Sequence, residues 1–115
     1  MARSDTVKRY LRAMEAGDLA TVMGCFEQDG TVMSPVYGEV PVGPFYETLF
    51  ADTVEARVGL RELYFSEDGD GIAAHIDYIW ERQDGSRMHV DMVDLFRFRP
   101  DSERIGHLSI VFKPS

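Results

Sequence analysis

The run from Met88 to Phe98 admits one local conformation. Its alternate residues Met88, Val90, Met92, Asp94, Phe96 and Phe98 are apolar apart from a single acid. Side chains along a strand point to opposite faces with a period of two, so the pattern predicts a half-buried strand whose core face carries Asp94. A carboxyl in that position needs a partner or must keep its proton, because a bare buried charge costs more than strand packing returns. Asp94 is therefore either tied to a donor in the core or the working group of a site.

The preceding strand follows from parity. Ile72, Ala74, Ile76, Tyr78 and Trp80 alternate with Ala73, His75, Asp77, Ile79 and Glu81, so the even-numbered set faces the core. If Trp80 and Met88 share that face, the loop between the strands holds an odd number of residues. Gln83-Asp84-Gly85 fits, with Gly85 in the left-handed position of a three-residue hairpin loop. This register pairs Glu81 with Arg87, Trp80 with Met88, Ile76 with Met92 and Ala74 with Asp94. The small Ala74 leaves space beside the acid, and Asp77 falls opposite Asp91, which opposes the register.

Upstream, Val7, Tyr10, Leu11 and Met14 recur at helical spacing, with Ser4 or Asp5 as the cap and Gly17 as the stop, so Tyr10 looks inward. Asp18 caps a second helix with Leu19, Val22, Met23 and Phe26 on its buried stripe, closed by Asp29-Gly30, and Cys25 packs within it. Thr31 to Ser34 reads as a short strand ended by Pro35, followed by a loop with Gly38, Pro41 and Gly43. Pro44 opens a short helix carrying Phe45, Tyr46, Leu49 and Phe50. Arg57 to Phe65 and Arg104 to Phe112 read as further strands, the last with Leu108, Ile110 and Phe112 on one face. Helices first and long antiparallel strands afterwards make an α+β plan in which a curved sheet closes over helices as a cone, and such a cone is a ligand pocket.

Composition narrows the function. The chain has 115 residues, 44% of them hydrophobic, which suits one domain spanning 1–115 with one core. A formal net charge of -8 without any basic block argues against nucleic acid or an anionic membrane as partner. The polar start, the lack of a spanning apolar run and the single Cys25 lead us to expect a soluble cytoplasmic protein. Asp68-Gly69-Asp70-Gly71 lacks the ligand spacing of a calcium loop and reads as a turn. His75, Asp77, His89 and Asp91 share an outward sheet face, where such groups are solvated, so neither a metal nor a cofactor is expected. Ile79, Val93 and Leu95 on that same face suggest that another surface covers it, and we expect a homodimer through the sheet.

Lys8-Arg9-Tyr10, Ala16-Gly17-Asp18-Leu19, the strand end from Val32 to Val36, and Asp94-Leu95-Phe96-Arg97-Phe98 together resemble the ketosteroid isomerases and the wider SnoaL-like, NTF2-like superfamily. The resemblance implies an NTF2-like cone, with an N-terminal helical hairpin and a short third helix packed on a curved, mainly antiparallel sheet. It also implies that Tyr10 and Asp94 fall where the isomerases keep two oxyanion-hole donors, whose protonated Asp is the known example of a carboxylic acid kept neutral to donate a hydrogen bond. Two positions depart from the isomerase pattern. Ser34 stands where the general base, an Asp, precedes the strand-ending proline, and a serine hydroxyl accepts no proton at neutral pH without a base of its own. Phe50 stands where some isomerases have a tyrosine supporting the oxyanion network. Glu39 is the nearby carboxylate that could substitute for the base. The expected protein binds a small apolar molecule through a carbonyl or phenol oxygen held by Tyr10 and Asp94. Its walls are Ser34, Val36, Phe50, Tyr78, Trp80, Met92, Leu108, Ile110 and Phe112. Isomerase, cyclase or dehydratase chemistry is within the superfamily's range, and a non-catalytic binding or dimerisation module is the alternative.

Overall fold

The computed structural model describes residues 2–112. Three helices, α1 (Arg3–Ala16), α2 (Leu19–Gly24) and α3 (Val42–Asp52), pack against one six-stranded sheet. Its strands are β1 (Phe26–Ser34), β2 (Gly38–Pro41), β3 (Thr53–Phe65), β4 (Gly71–Arg82), β5 (Arg87–Phe98) and β6 (Ile105–Phe112). They lie in the order β2-β1-β6-β5-β4-β3, and every neighbouring pair is antiparallel except β1 with β6, which is parallel. The result is the α+β cone expected from the order of elements.

The β4–β5 hairpin has the register read from parity: Glu81 opposes Arg87, Trp80 opposes Met88, Ile76 opposes Met92 and Ala74 opposes Asp94. Gly85 takes φ +87°, which a residue with a Cβ adopts only under strain. Asp77 does oppose Asp91, and the outer face itself resolves the repulsion. His75 Nε2 lies 2.8 Å from Asp91, His89 Nε2 lies 2.8 Å from Asp77, and Arg61 on β3 reaches both acids at 3.4 and 3.7 Å. Two like charges are thus bracketed by three cation-capable groups.

The core lies between the even-numbered face of this hairpin and the inward stripes of α1 and α3. Tyr10 is its centre, with ring centroids 5.4 Å from Phe96, 5.7 Å from Phe26 and 6.0 Å from Tyr46, all edge to face. Offset and edge-to-face aromatic pairs of this kind contribute about 0.5–1.5 kcal/mol each beyond their area. Arg3 then ties the start of α1 to the far end of the sheet. It donates to the carbonyls of Gly69, Arg99, Pro100 and Ser102, pairs with Asp70 at 2.8 Å, and lies 5.2 Å over the Phe98 ring.

Several boundaries differ from the sequence reading. The α2 helix ends at Gly24, and Phe26 begins β1 instead of completing a helical stripe. The Ile105 N–H donates to Cys25 O at 2.8 Å, and Phe26 pairs with Ile105, so long-range strand pairing overrides a short local period. Cys25 is the buried C-cap of α2. Asp29-Gly30, read as a helix stop, sits within β1 where its register with β6 shifts, and a Cβ on Gly30 would lie 3.0 Å from Glu27 O. The first helix starts at Arg3 after Ala2, with Ser4 and Asp5 inside its first turn and no side-chain cap. Asp18 does cap α2, accepting from Thr21 N at 3.1 Å. The stretch read as a loop contains β2, a four-residue edge strand that tolerates Gly38 and Pro41 at its ends. Pro44 is the third residue of α3, and β3 begins at Thr53, four residues before the expected start.

Candidate functional site

A cavity of about 40 Å³ opens inside the cone, and its walls come from nearly every element. Tyr10, with Leu11 and Met14 one helical turn along, enters from α1. Ser34 ends β1 and Val36 and Tyr37 follow it. Phe45 and Leu49 come from α3, Val58 from β3, and Ile76, Tyr78 and Trp80 from β4. Met92 and Asp94 come from β5, Ile110 and Phe112 from β6. A water needs about 10–15 Å³ of such space, so the cavity has room for a compact group.

Asp94 is 3% exposed, and its Oδ1 has no hydrogen-bond partner. Burial pushes its carboxyl from the ordinary 3.8 up to about 7. Both protonation states are therefore populated near neutral pH, where the group can donate a proton or accept one. The Tyr10 hydroxyl does not reach Asp94 directly. It lies 2.6 Å from the hydroxyl of Tyr46, on α3. Burial holds both phenols well above their ordinary value of 10.0, so both stay neutral. Only one hydroxyl can donate in that bond, and when Tyr46 donates, the Tyr10 hydrogen is free to point at a ligand. Tyr46 thus places a second hydroxyl against that of Tyr10, where Phe50 has none to offer.

Of the residues expected at the site, Tyr10, Ser34, Val36, Tyr78, Trp80, Met92, Asp94, Ile110 and Phe112 meet in this one wall. Phe50 and Leu108 do not reach it. Phe50 leans on Tyr46 at 6.0 Å and lines a separate surface groove with Val54 and Glu55. Leu108 is fully buried between its strand partners Val32 and Phe96. Ser34 is 5% exposed, its Oγ accepts from Val36 N at 3.1 Å, and among the described residues no hydrogen bond joins that hydroxyl to a carboxylate that could act as its base. Glu39 cannot fill that role in this conformation. It pairs with Met33, whose side chain points to the opposite face of β1 from Ser34. Tyr37 was not anticipated. Its hydroxyl donates to Asp52 at 2.9 Å, and Arg82 holds the same carboxylate at 2.7 Å. Neither the Tyr37–Asp52 nor the Tyr46–Tyr10 contact could be found from local pattern, since each joins residues far apart along the chain.

A buried acid and two hydrogen-bonded tyrosines thus sit at an apolar cavity inside an NTF2-like fold, and the comparisons agree on that fold. The model of the SnoaL-like domain matches residues 7–105, and the chain belongs to that family. No curated protein sequence matches it. Among solved structures it is similar to SalBIII, described as an epoxide hydrolase/cyclase-like enzyme in pyran ring formation in the polyether salinomycin. The TM-score is 0.80 at 18% identity, over 96% of this chain and 90% of that one. It is also similar to an NTF2-like protein of unknown function from Burkholderia pseudomallei, with a TM-score of 0.82 at 20% identity, over 98% and 92%. A third is a hypothetical protein with a ketosteroid isomerase-like fold from Catenulispora acidiphila in complex with trimethylamine. Its TM-score is 0.79 at 18% identity, over 94% and 85%. At these identities the likeness establishes the fold. No described helix is long and apolar enough to cross a membrane.

Proposed function

We propose that the cone binds a small, largely apolar molecule through a carbonyl or phenol oxygen, which accepts hydrogen bonds from the protonated Asp94 carboxyl and the Tyr10 hydroxyl. The observation that carries this reading is the cavity-facing Asp94 carboxyl with an unpartnered oxygen in an otherwise apolar wall. Such donors stabilise negative charge developing on a ligand oxygen, which is the requirement of enolate-forming isomerase, cyclase and dehydratase steps. The relative in complex with trimethylamine supports the reading that a cone of this fold admits a compact molecule.

Cyclohexenone, an oxygen acceptor with no donor of its own, tests this. Its affinity, followed by Trp80 fluorescence, is expected to be about ten-fold weaker at pH 8 than at pH 6, because the donor form of Asp94 is lost as its carboxyl ionises near neutrality. Tyr10→Phe is expected to weaken it by a further factor of about ten, one hydrogen bond's worth. Binding that ignores both pH and Tyr10→Phe refutes the donor assignment. Turnover of such a ketone separates an enzyme from a binding module.

The outer sheet face supports a second part of the proposal, a homodimer. Leu95 and Val111 on that face are 41% and 50% exposed, and Ile79 and Val93 lie half-buried beside them. Exposed apolar sheet surface is costly unless covered. Sedimentation equilibrium should give twice the chain mass, and Leu95→Glu should shift it toward one. A wild-type protein that sediments as a monomer removes the dimer.

A further inference from the structure

The inner wall of the cone is aromatic, and it carries one acid with no base. Tyr10, Tyr37, Phe45, Tyr78, Trp80 and Phe112 line it with Asp94, and no Lys, Arg or His is among its described lining residues. The Tyr37 and Tyr78 ring centroids lie 6.4 and 6.5 Å from that of Trp80. Aromatic faces attract cations through the ring quadrupole, and desolvated aromatic walls are how quaternary ammonium groups are recognised. Trp80 already holds one cation, the Arg82 guanidinium at 4.7 Å, but that charge is paired with Asp52 at the rim and leaves Asp94 unpaired. An ionised carboxylate buried without a counter-charge is expensive, so the wall rewards a ligand that brings the missing positive charge.

We propose that the cone also binds a small organic ammonium, a tertiary or quaternary amine headgroup whose charge pairs with the Asp94 carboxylate while its methyl groups pack on the surrounding rings. This rests on the cone being a ligand site and uses the other protonation state of the same carboxyl. The cavity of about 40 Å³ suits a compact headgroup. The ionisable groups facing Asp94 are the phenols of Tyr10 on α1, Tyr46 on α3 and Tyr78 on β4, and its strand neighbours Ala74 and Ile110 carry no charge. All three phenols are pushed above 10.0 by burial, so Asp94 alone among these groups changes charge near neutral pH.

The test uses choline and its neutral carbon isostere, in which a tert-butyl group replaces trimethylammonium. Both are titrated into the whole protein by calorimetry, with Trp80, the chain's one tryptophan, as a second reporter. Choline is expected to bind at least about ten-fold more tightly than the isostere at pH 8. Its affinity should rise about ten-fold from pH 6 to pH 8, as the binding-competent ionised fraction grows from about a tenth to about nine-tenths. Asp94→Asn should bring choline down to the level of the isostere, and if that variant does not fold, the pH series on the wild type decides. Equal affinity for the two compounds, no rise with pH, or undiminished choline binding to Asp94→Asn overturns the proposal. Cyclohexenone binding without choline binding overturns the ammonium class and leaves the carbonyl reading standing. Choline binding without cyclohexenone binding does the reverse, and binding of neither overturns both.

Discussion

The Asp94→Asn variant is expected to gain about 4 kcal/mol of stability on the wild type between pH 4 and pH 8. The sign follows from where the proton sits. In the folded protein the Asp94 carboxyl titrates at about 7, raised by burial from 3.8. Between those values the folded state holds a proton that the unfolded state has released, so wild-type stability falls as pH rises from about 4 and levels off above about 7. The gap spans about three pH units at 1.36 kcal/mol each. Asparagine keeps the shape and cannot ionise. Other acids work in the opposite direction: Arg82 and Tyr37 hold Asp52 below its ordinary value, and Ser66, the Asp70 amide and Arg97 do the same for Asp68. Their stabilisation is present at neutral pH and lost on acidification, in both proteins alike, so the difference between the variants isolates Asp94. Denaturant unfolding at matched pH values measures it, and parallel stability curves would show that Asp94 does not hold its proton in the core. A residue that costs this much above pH 7 and contributes no hydrogen bond through Oδ1 is what a working group looks like in energetic terms.

Ser34→Asp is expected to raise isomerisation of a small β,γ-unsaturated ketone to its conjugated isomer by about a hundred-fold or more, the usual contribution of a placed general base. Ser34 ends β1 in the same wall as Tyr10 and Asp94, and it is buried. An aspartate there can still accept the Val36 N–H that the serine oxygen now accepts, so the turn after β1 survives the change. The cyclic six-membered ketone suits the small cavity, and its conjugated product is read by absorbance. A folded variant with unchanged turnover would mean that Ser34 does not face the ligand atom from which the proton must leave.

The part of this molecule that was legible in the sequence is the part governed by a local period. The alternation from Ile72 to Trp80 and from Met88 to Phe98 specified two core faces, the loop parity specified their register, and Asp94 opposite Ala74 followed. The α1 stripe likewise turned Tyr10 inward. Where two periods competed over a few residues, as at Phe26, the reading failed, because pairing with Ile105, 79 positions away, supplied hydrogen bonds that local propensity cannot anticipate. The short edge strand Gly38–Pro41 was hidden by its own Gly and Pro content.

The site divides along the same line. By itself the sequence determined that an acid and a tyrosine face the core and that no block of basic residues is present, since each depends only on residue type and on which side of an element it points. Only the tertiary structure decided that the Tyr10 hydroxyl meets Tyr46 and not Asp94, that Tyr37 is tied to Asp52 and Arg82, that Glu39 faces away from Ser34, and that Asp94 is left with an unpartnered oxygen. Those are distances between elements, set by how the cone closes, and a hydrogen bond 2.6 Å long between residues on two different helices has no counterpart in any local pattern.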